Sequence, residues 1–259
     1  MPATIKSIAE IIEKLAPLYL AFDGDNVGLL IGDEETEITK AIVALDIDND
    51  VIDEAISKGC ELIITHHPVI FHPLKTLNGA GFKQKMILRL VSSGISVYSA
   101  HTNLDAAYGG VNDYLARIIG LKDVSILGEA IKLPGFDKND SSFKYSNLSY
   151  GRCGYLKQPV TLDGLCRKVK NVLNLQSLNV EGNMDRIVSK VGLCSGDGSD
   201  FIMDAYKQGC DVYITGDIRY HDACDAKAMG LCIIDAGHFA TENIYIPEFK
   251  AYIEKMLIS

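Results

Sequence analysis

Residues 38–67, ITKAIVALDIDNDVIDEAISKGCELIITHH, and residues 188–217, VSKVGLCSGDGSDFIMDAYKQGCDVYITGD, align at a constant offset without a gap. Each reads as strand, turn, helix, strand. Asp50 and Asp200 stand near the two helix starts, and the apolar pairs Val51/Ile52 and Ala55/Ile56 are matched by Phe201/Ile202 and Ala205/Tyr206. One face of each helix is therefore apolar and expected to be buried. Gly59 and Gly209 then end the helices in the left-handed conformation that glycine tolerates best. The strands that follow, CELIIT and CDVYIT, are apolar at nearly every position, as suits strands covered on both faces, and a βαβ connection implies parallel pairing. All βαβ units share this pattern, so two unrelated ones could look alike. The common string Gly-Cys-acid-apolar-x-Ile-Thr favours a true duplication.

Working outward, a second strand follows in each half, GISVYSA at 94–100 and LCIIDAG at 231–237. The stretch TLDGLCRKVKNVLNLQSLNV, capped by Thr161 or Asp163, echoes the N-terminal helix and the strand VGLLIG. The expected fold is α/β, with two similar lobes from an internal duplication. The first covers residues 1–126. The second covers 127–259, including an irregular connection at 127–150 where Gly135, Asp137, Asn139, Asp140, Ser141 and Ser142 cluster.

Composition narrows the class. The 259 residues suffice for a substantial core, and with 47% hydrophobic content no segment is polar enough to read as a disordered tail. A formal charge of −9, with no Lys/Arg-rich run, counts against nucleic acid and anionic membranes as partners. The N-terminal MPATIKSIAEIIEKLAP is broken by Lys6, Glu10, Glu13 and Lys14 at helical spacing, so it reads as an amphipathic helix rather than a leader. No apolar run approaches the ~20 residues that span a bilayer. Seven dispersed cysteines with no CxxC pair look like small buried hydrophobes of a reducing compartment, which points to the cytoplasm.

The chemistry collects where the expected parallel strands end, which is where open α/β sheets place their ligands. His66 and His67 end one strand, and Pro68 holds His67 extended. Adjacent side chains on extended backbone diverge, so the pair suits two ions better than one, or one ligand and one packing residue. For this pair alone, metal and structural readings are about level. The next strand ends in AHTNLDAAYGG, with His101 and Asp105 four apart; its counterpart ends in GHFATE, with His238 and Glu242 four apart. Such pairs share a face if the chain turns helical there. Taken singly they are weak signals, because charged residues at that spacing usually form a solvated face. Their shared placement in a duplicated frame raises the combined signal, and five or six groups could converge where the lobes meet. Mixed imidazole and carboxylate ligation suits Zn, Mn, Fe, Co or Ni better than Ca or Mg. Two ions about 3.5–4 Å apart with a shared water would make a hydroxide source near neutral pH.

Other features carry less. His72 is expected to be a packed, hydrogen-bonded residue. In TGDIRYHDA, Asp217, Arg219 and His221 could line the cleft, with Arg219 or His221 meeting an anion, but a capped turn leading into a helix at 222–229 is at least as good a reading. Asp23, Asp25, Asn26 and Gly28 read as turn chemistry. GLCSGDGSD could cradle a phosphate, but it lacks both Rossmann spacing and the P-loop lysine, so a turn is the better reading.

The ordered motifs DNVGLLIG, ITHHPVIF, SAHTNLDAAYGGVNDYLA, YITGDIRYHDA and DAGHFATE cover nearly the whole chain, and together they resemble the Nif-three-like family, also called GTP cyclohydrolase I type 2 homologues. That resemblance implies a two-lobed α/β Nif-three-like fold with a dinuclear metal centre between the lobes, in a homohexameric toroid. Carried over by motif, the metal ligands are His66, His67, Asp105, His238 and Glu242, with His101 beside them as a further ligand or catalytic proton carrier. Two departures stand out: Gly24 replaces a frequent Trp before DNVG, and the insertion domain of longer members is absent. The resemblance implies a metal-dependent hydrolase holding two divalent ions per subunit, with metal-bound hydroxide attacking a nucleotide-like substrate, for example C8 of GTP. The alternatives are a metal chaperone or metallocentre-assembly protein, or a regulatory scaffold without catalysis.

Overall fold

The computed structural model describes residues 3–131 and 148–258. Gly135, Asp137, Asn139, Asp140, Ser141 and Ser142, expected in the connection, lie outside the described residues. The chain divides into two compact units, Met1–Leu104 with Ile246–Ser259, and Asp105–Tyr245.

The first unit opens with β1 (Ala3–Thr4) and α1 (Ile5–Leu15), the amphipathic helix read from the sequence. Thr4 starts α1 because its hydroxyl accepts from the Ser7 amide while the Ser7 hydroxyl accepts from the Thr4 amide, a reciprocal cap that satisfies two free donors of the first turn. Ile5, Ile8, Ile11 and Ile12 fall on its buried face. There follow β2 (Gly28–Ile31), β3 (Glu37–Ile38), β4 (Ala41–Ala44), α2 (Asn49–Lys58), β5 (Leu62–Thr65), α3 (Phe82–Ser92) and β6 (Ser96–Ser99). Asp48 caps α2 by accepting from the Val51 amide at 2.8 Å, and Gly59 ends it at φ 63°. The sheet runs β2-β6-β5-β4, with β4, β5 and β6 parallel and β2 antiparallel to β6. Every residue of β5 and β6 is buried, as the unbroken apolar run CELIIT requires. The C-terminal helix Ile246–Ile258 packs on α1 and β4. The unit boundary falls inside the five-residue helix α4 (Thr102–Ala106).

The second unit contains α5 (Val111–Ile119), β7 (Leu121–Leu127), β8 (Gly151–Thr161), α6 (Leu162–Val172), β9 (Asn179–Glu181), β10 (Ile187–Asp197), α7 (Ile202–Lys207), β11 (Val212–Gly216), α8 (Tyr220–Met229), β12 (Cys232–Asp235) and α9 (His238–Asn243). Its sheet has six strands in the order β7-β8-β10-β11-β12-β9. Within it, β10, β11 and β12 are parallel while β9 is antiparallel to β12, so strand order and sense from β9 to β10 repeat those from β2 to β4. Thr161 caps α6 by accepting from the Gly164 amide, which decides between the two caps the sequence offered, Thr161 and Asp163. The second βαβ helix is shorter than its sequence suggests: a 3-10 turn over Ser199–Phe201 leads into α7, and Gly209 follows its last turn at φ 71°.

Two local expectations are corrected. The glycine-rich GLCSGDGSD does not turn until its end: β10 runs to Asp197, paired with both β8 and β11 as far as Leu193 and with β11 again at Asp197, and a 3-10 turn begins at Ser199. Nor are its amides open to a phosphate, since Gly196 N–H donates to the Thr241 hydroxyl, Gly198 N–H to the Thr215 hydroxyl and Ser199 N–H to the Asp197 carboxylate. His72 is exposed rather than packed in a core: it lies beyond the end of β5, in the exposed stretch 71–80, with only an edge-on ring contact to Phe71 at 4.8 Å between ring centres. Six of the seven cysteines are buried thiols, as expected, and Cys224 is exposed. No helix among the described residues is long and apolar enough to cross a membrane.

Candidate metal centre

The first unit brings three imidazoles together. His66 and His67 leave the end of β5, and His101 follows β6, which is the parallel neighbour of β5. Their ring centres are 5.1, 5.2 and 5.6 Å apart, and each ring offers a nitrogen within 4.8 Å of the others.

Each ring is oriented from behind. The carbonyl of Ala100 accepts from His66 Nδ1 at 2.8 Å; Asp46 Oδ1 accepts from His67 Nδ1 at 2.8 Å; both Asp25 oxygens lie 2.9 Å from His101 Nδ1. A carbonyl or carboxylate beside Nδ1 requires the proton on that nitrogen, so the neutral ring presents a lone pair at Nε2. This is the arrangement by which metal-ligating histidines are fixed in tautomer and direction. Asp25 is itself firmly held, since the Thr102 amide and hydroxyl both donate to its Oδ2. Burial alone would raise the Asp25 carboxyl pKa, but the hydrogen bonds and charge of His101 and the donors of Thr102 outweigh it and hold the group below its ordinary range.

The second unit supplies a carboxylate-rich set. α9 begins at His238 immediately after Gly237, so His238 and Glu242 share one helical face, and His238 Nε2 lies 3.1 Å from Glu242 Oε2. Glu242 is buried, whereas His238 is half-exposed and donates from Nδ1 to Asp217 Oδ2 at 2.8 Å. That tautomer leaves a lone pair on Nε2 facing a carboxylate oxygen. Two acceptors at such a distance are reconciled by a cation between them, or by a proton on the ring or on the carboxyl.

Room for this pair comes from Gly196, at φ 64° in the irregular stretch of β10. A Cβ there would lie 2.2 Å from Glu242 Oε1 and 3.2 Å from His238 Nε2. Asp105 offers a carboxylate oxygen within 4.8 Å of one of Glu242 and is held by contacts of its own: Ser195 Oγ donates to its Oδ1 at 3.4 Å, while Asn112 donates from its side chain to the Asp105 carbonyl and accepts the Ser195 amide. Behind it, the buried Arg152 binds the carbonyls of Ala106 and Ala107 and forms an ion pair with Asp113.

The donor sets are those of a divalent-metal site: oriented imidazoles and buried or hydrogen-bonded carboxylates, with no thiolate among them. Of the weaker sequence candidates, Asp217 takes part as the orienting partner of His238. Arg219 does not, being exposed and paired with Asp222 at 2.8 Å ahead of α8; His221 is exposed beside Tyr220. Asp46, Asp25, Gly196, Ser195 and Arg152 had no legible role in the sequence, and the only hint for Asp25 was the motif in which it stands.

Comparison with known proteins agrees with the motifs. Residues 3–259 match the family Duf34/NIF3 (NGG1p interacting factor 3). A GTP cyclohydrolase 1 type 2 homolog of Clostridium acetobutylicum is 41% identical over 242 residues, which cover 93% of this chain and 86% of the relative. The fold resembles a Bacillus cereus protein related to NIF3, with a TM-score of 0.89 and 27% identity over 99% of this chain and 93% of the other. It also resembles reduced HcgD from Methanocaldococcus jannaschii, with a TM-score of 0.80 and 31% identity over 98% and 95% of the two chains. With its five motifs in order and this match along almost its full length, the chain belongs to the Duf34/NIF3 family.

Proposed function

We propose that His66, His67, Asp105, His238 and Glu242 hold two divalent metal ions, and that the protein is a metal-dependent hydrolase acting on a nucleotide-like substrate. The observation that carries this reading is the tautomer state: four imidazoles each have Nδ1 committed to a carbonyl or carboxylate, and one of the Nε2 lone pairs faces a buried glutamate. Divalent ions bound there supply Lewis acidity and make water acidic enough to react near neutral pH. His101 is the proton carrier of this proposal. Asp25 holds its Nδ1–H, so Nε2 is the atom that takes up or returns a proton, and the carboxylate stabilises the imidazolium formed on the way. The name of the Clostridium relative supports a purine nucleotide such as GTP as the first substrate to try. The same reading includes a cytoplasmic homohexamer.

Elemental analysis of the purified protein, joined to a nucleotide-hydrolysis screen, tests both halves. Bound Zn, Mn, Fe, Co or Ni that is lost in His66→Ala and Glu242→Ala, with turnover lost alongside it, is the expected result. Protein that binds no divalent ion sinks the centre itself. Bound metal that passes rapidly to an acceptor, without turnover of any nucleotide, would replace the hydrolase with a metal-handling or metallocentre-assembly protein.

A further inference from the structure

The proposed metal centre uses none of the seven thiols, yet two of them meet inside the second unit. Cys153 stands in β8 opposite Gly192 of β10, and residues opposite one another in an antiparallel pair present their side chains to the same face of the sheet. On that face the glycine leaves a gap, and the sulfur of Cys210 fills it: a Cβ on Gly192 would lie 3.2 Å from Cys210 Sγ. Cys153 and Cys210 are therefore neighbours in the cluster that includes Ile202 and Ala205 of α7, and their thiols are hydrogen-bonded to each other.

The cover over Cys153 is thin. On its other side stands Ser125 of the edge strand β7, an exposed residue whose Oγ lies 3.2 Å from Cys153 Sγ. The half-exposed Gln208 lies against it too, with Oε1 3.4 Å from the sulfur. Both are polar side chains outside the apolar core, so a small polar molecule reaches the sulfur through their rotamer changes, with no strand separated.

Burial holds the thiols of Cys60, Cys166, Cys194 and Cys232 above the ordinary range. Cys153 goes the other way, down to about 6. The hydrogen bond from Cys210 is the largest cause, and the Ser125 hydroxyl and the Lys190 ammonium add to it against the effect of burial. Lys190 is fixed in place, its Nζ donating to the Gln208 carbonyl at 2.6 Å. Cys210, which keeps its proton for the shared hydrogen bond, is pushed up, chiefly by that bond. A thiolate beside a thiol is the pairing of an attacking and a resolving cysteine.

We propose that Cys153 and Cys210 form a thiol pair oxidised by hydroperoxides, with Cys153 the attacking sulfur and Cys210 the resolving one. The Cys153 thiolate attacks one oxygen of the hydroperoxide; an S–O bond forms as the O–O bond breaks, and the departing alkoxide or hydroxide takes up the proton that Cys153 gave up. Cys210 then attacks the sulfenic sulfur. The S–S bond forms, the S–O bond breaks, and hydroxide leaves with the Cys210 proton as water. Two thiols are oxidised to one disulfide, and the hydroperoxide is reduced to an alcohol or water together with that water. The step uses no metal ligand and stands apart from the metal reading.

Treatment of the full-length protein with equimolar hydrogen peroxide, followed by alkylation and peptide mapping by mass spectrometry without reduction, tests it. The expected result is loss of two of the seven titratable thiols, a peptide linked through Cys153 and Cys210 of one chain, and return of both thiols on reduction. In Cys210→Ser, Cys153 is expected to stop at the sulfenic acid and be captured by dimedone; in Cys153→Ser, Cys210 is expected to keep its thiol. Oxidation that falls on the exposed Cys224 and leaves Cys153 and Cys210 as thiols overturns the proposal, as does a Cys210→Ser chain whose Cys153 is not captured. Should Cys210→Ser fail to fold, the wild-type map decides alone, and absence of the linked peptide overturns the proposal.

Discussion

Gly196→Ala separates the strain of a backbone from the damage to a site. The residue sits at φ 64°, so any side chain there meets the left-handed penalty of about 1–2 kcal/mol. Its Cβ would also stand 2.2 Å from Glu242 Oε1, well inside contact distance. A carboxylate can swing away, so the folded chain survives; but the swing takes Glu242 out of line with His238, which is 3.1 Å away in the native arrangement. Gly209→Ala is the matched control. It has φ 71° with nothing within 4 Å of the added Cβ, so it meets the same backbone penalty and no displacement. Both variants should therefore melt a few degrees below wild type, since ~1 kcal/mol shifts Tm by roughly 2–4 °C at this chain length. Only Gly196→Ala should lose metal affinity, by about 10–100-fold, as disturbed supporting contacts around metal sites do. Competition against a chromophoric chelator measures the affinity and calorimetry measures the melting. Equal metal affinity in the two variants would refute the claim that Gly196 makes room for a ligating Glu242.

Asp217→Ala should weaken metal binding by roughly 10-fold with little loss of stability, because it releases the ring of His238 from its tautomer but removes only a surface ion pair; chelator competition alongside thermal melting reads both. The Asp25 carboxyl is held below its unfolded value of about 3.9, so its contribution to stability should be complete above pH ~4 and fall as acid takes the pH down through the folded value. Asp25→Asn should flatten that part of the acid-unfolding curve. Arg152→Met should cost about 3–5 kcal/mol by leaving Asp113 and the carbonyls of Ala106 and Ala107 without their buried partner, which denaturant unfolding would detect. A loss below about 1 kcal/mol would mean that water replaces the guanidinium.

The sequence by itself determined the elements whose cause is local. α1 follows from isoleucines at helical spacing behind a Thr4 cap, the end of α2 from Gly59, and β5 from an apolar run too continuous to face water. It also named the ligand candidates, because His and acid residues recur directly after apolar strands in both halves of the repeated frame, although each pair alone was a weak signal. Tertiary structure decided what depends on groups distant along the chain. That β10 runs through Gly192 and Gly196 to Asp197 was decided by its neighbours in the fold, and that His72 is exposed by where the chain goes after β5. The tautomers were decided in the same way. Asp25 and Asp46 look like ordinary acids near turns until pairing of β5 and β6 sets His101 and His67 against them, and Gly196 looks like a loop glycine until α9 lays Glu242 over it. Side-chain chemistry is written residue by residue, but the direction in which a lone pair points is fixed by a partner that only folding brings near.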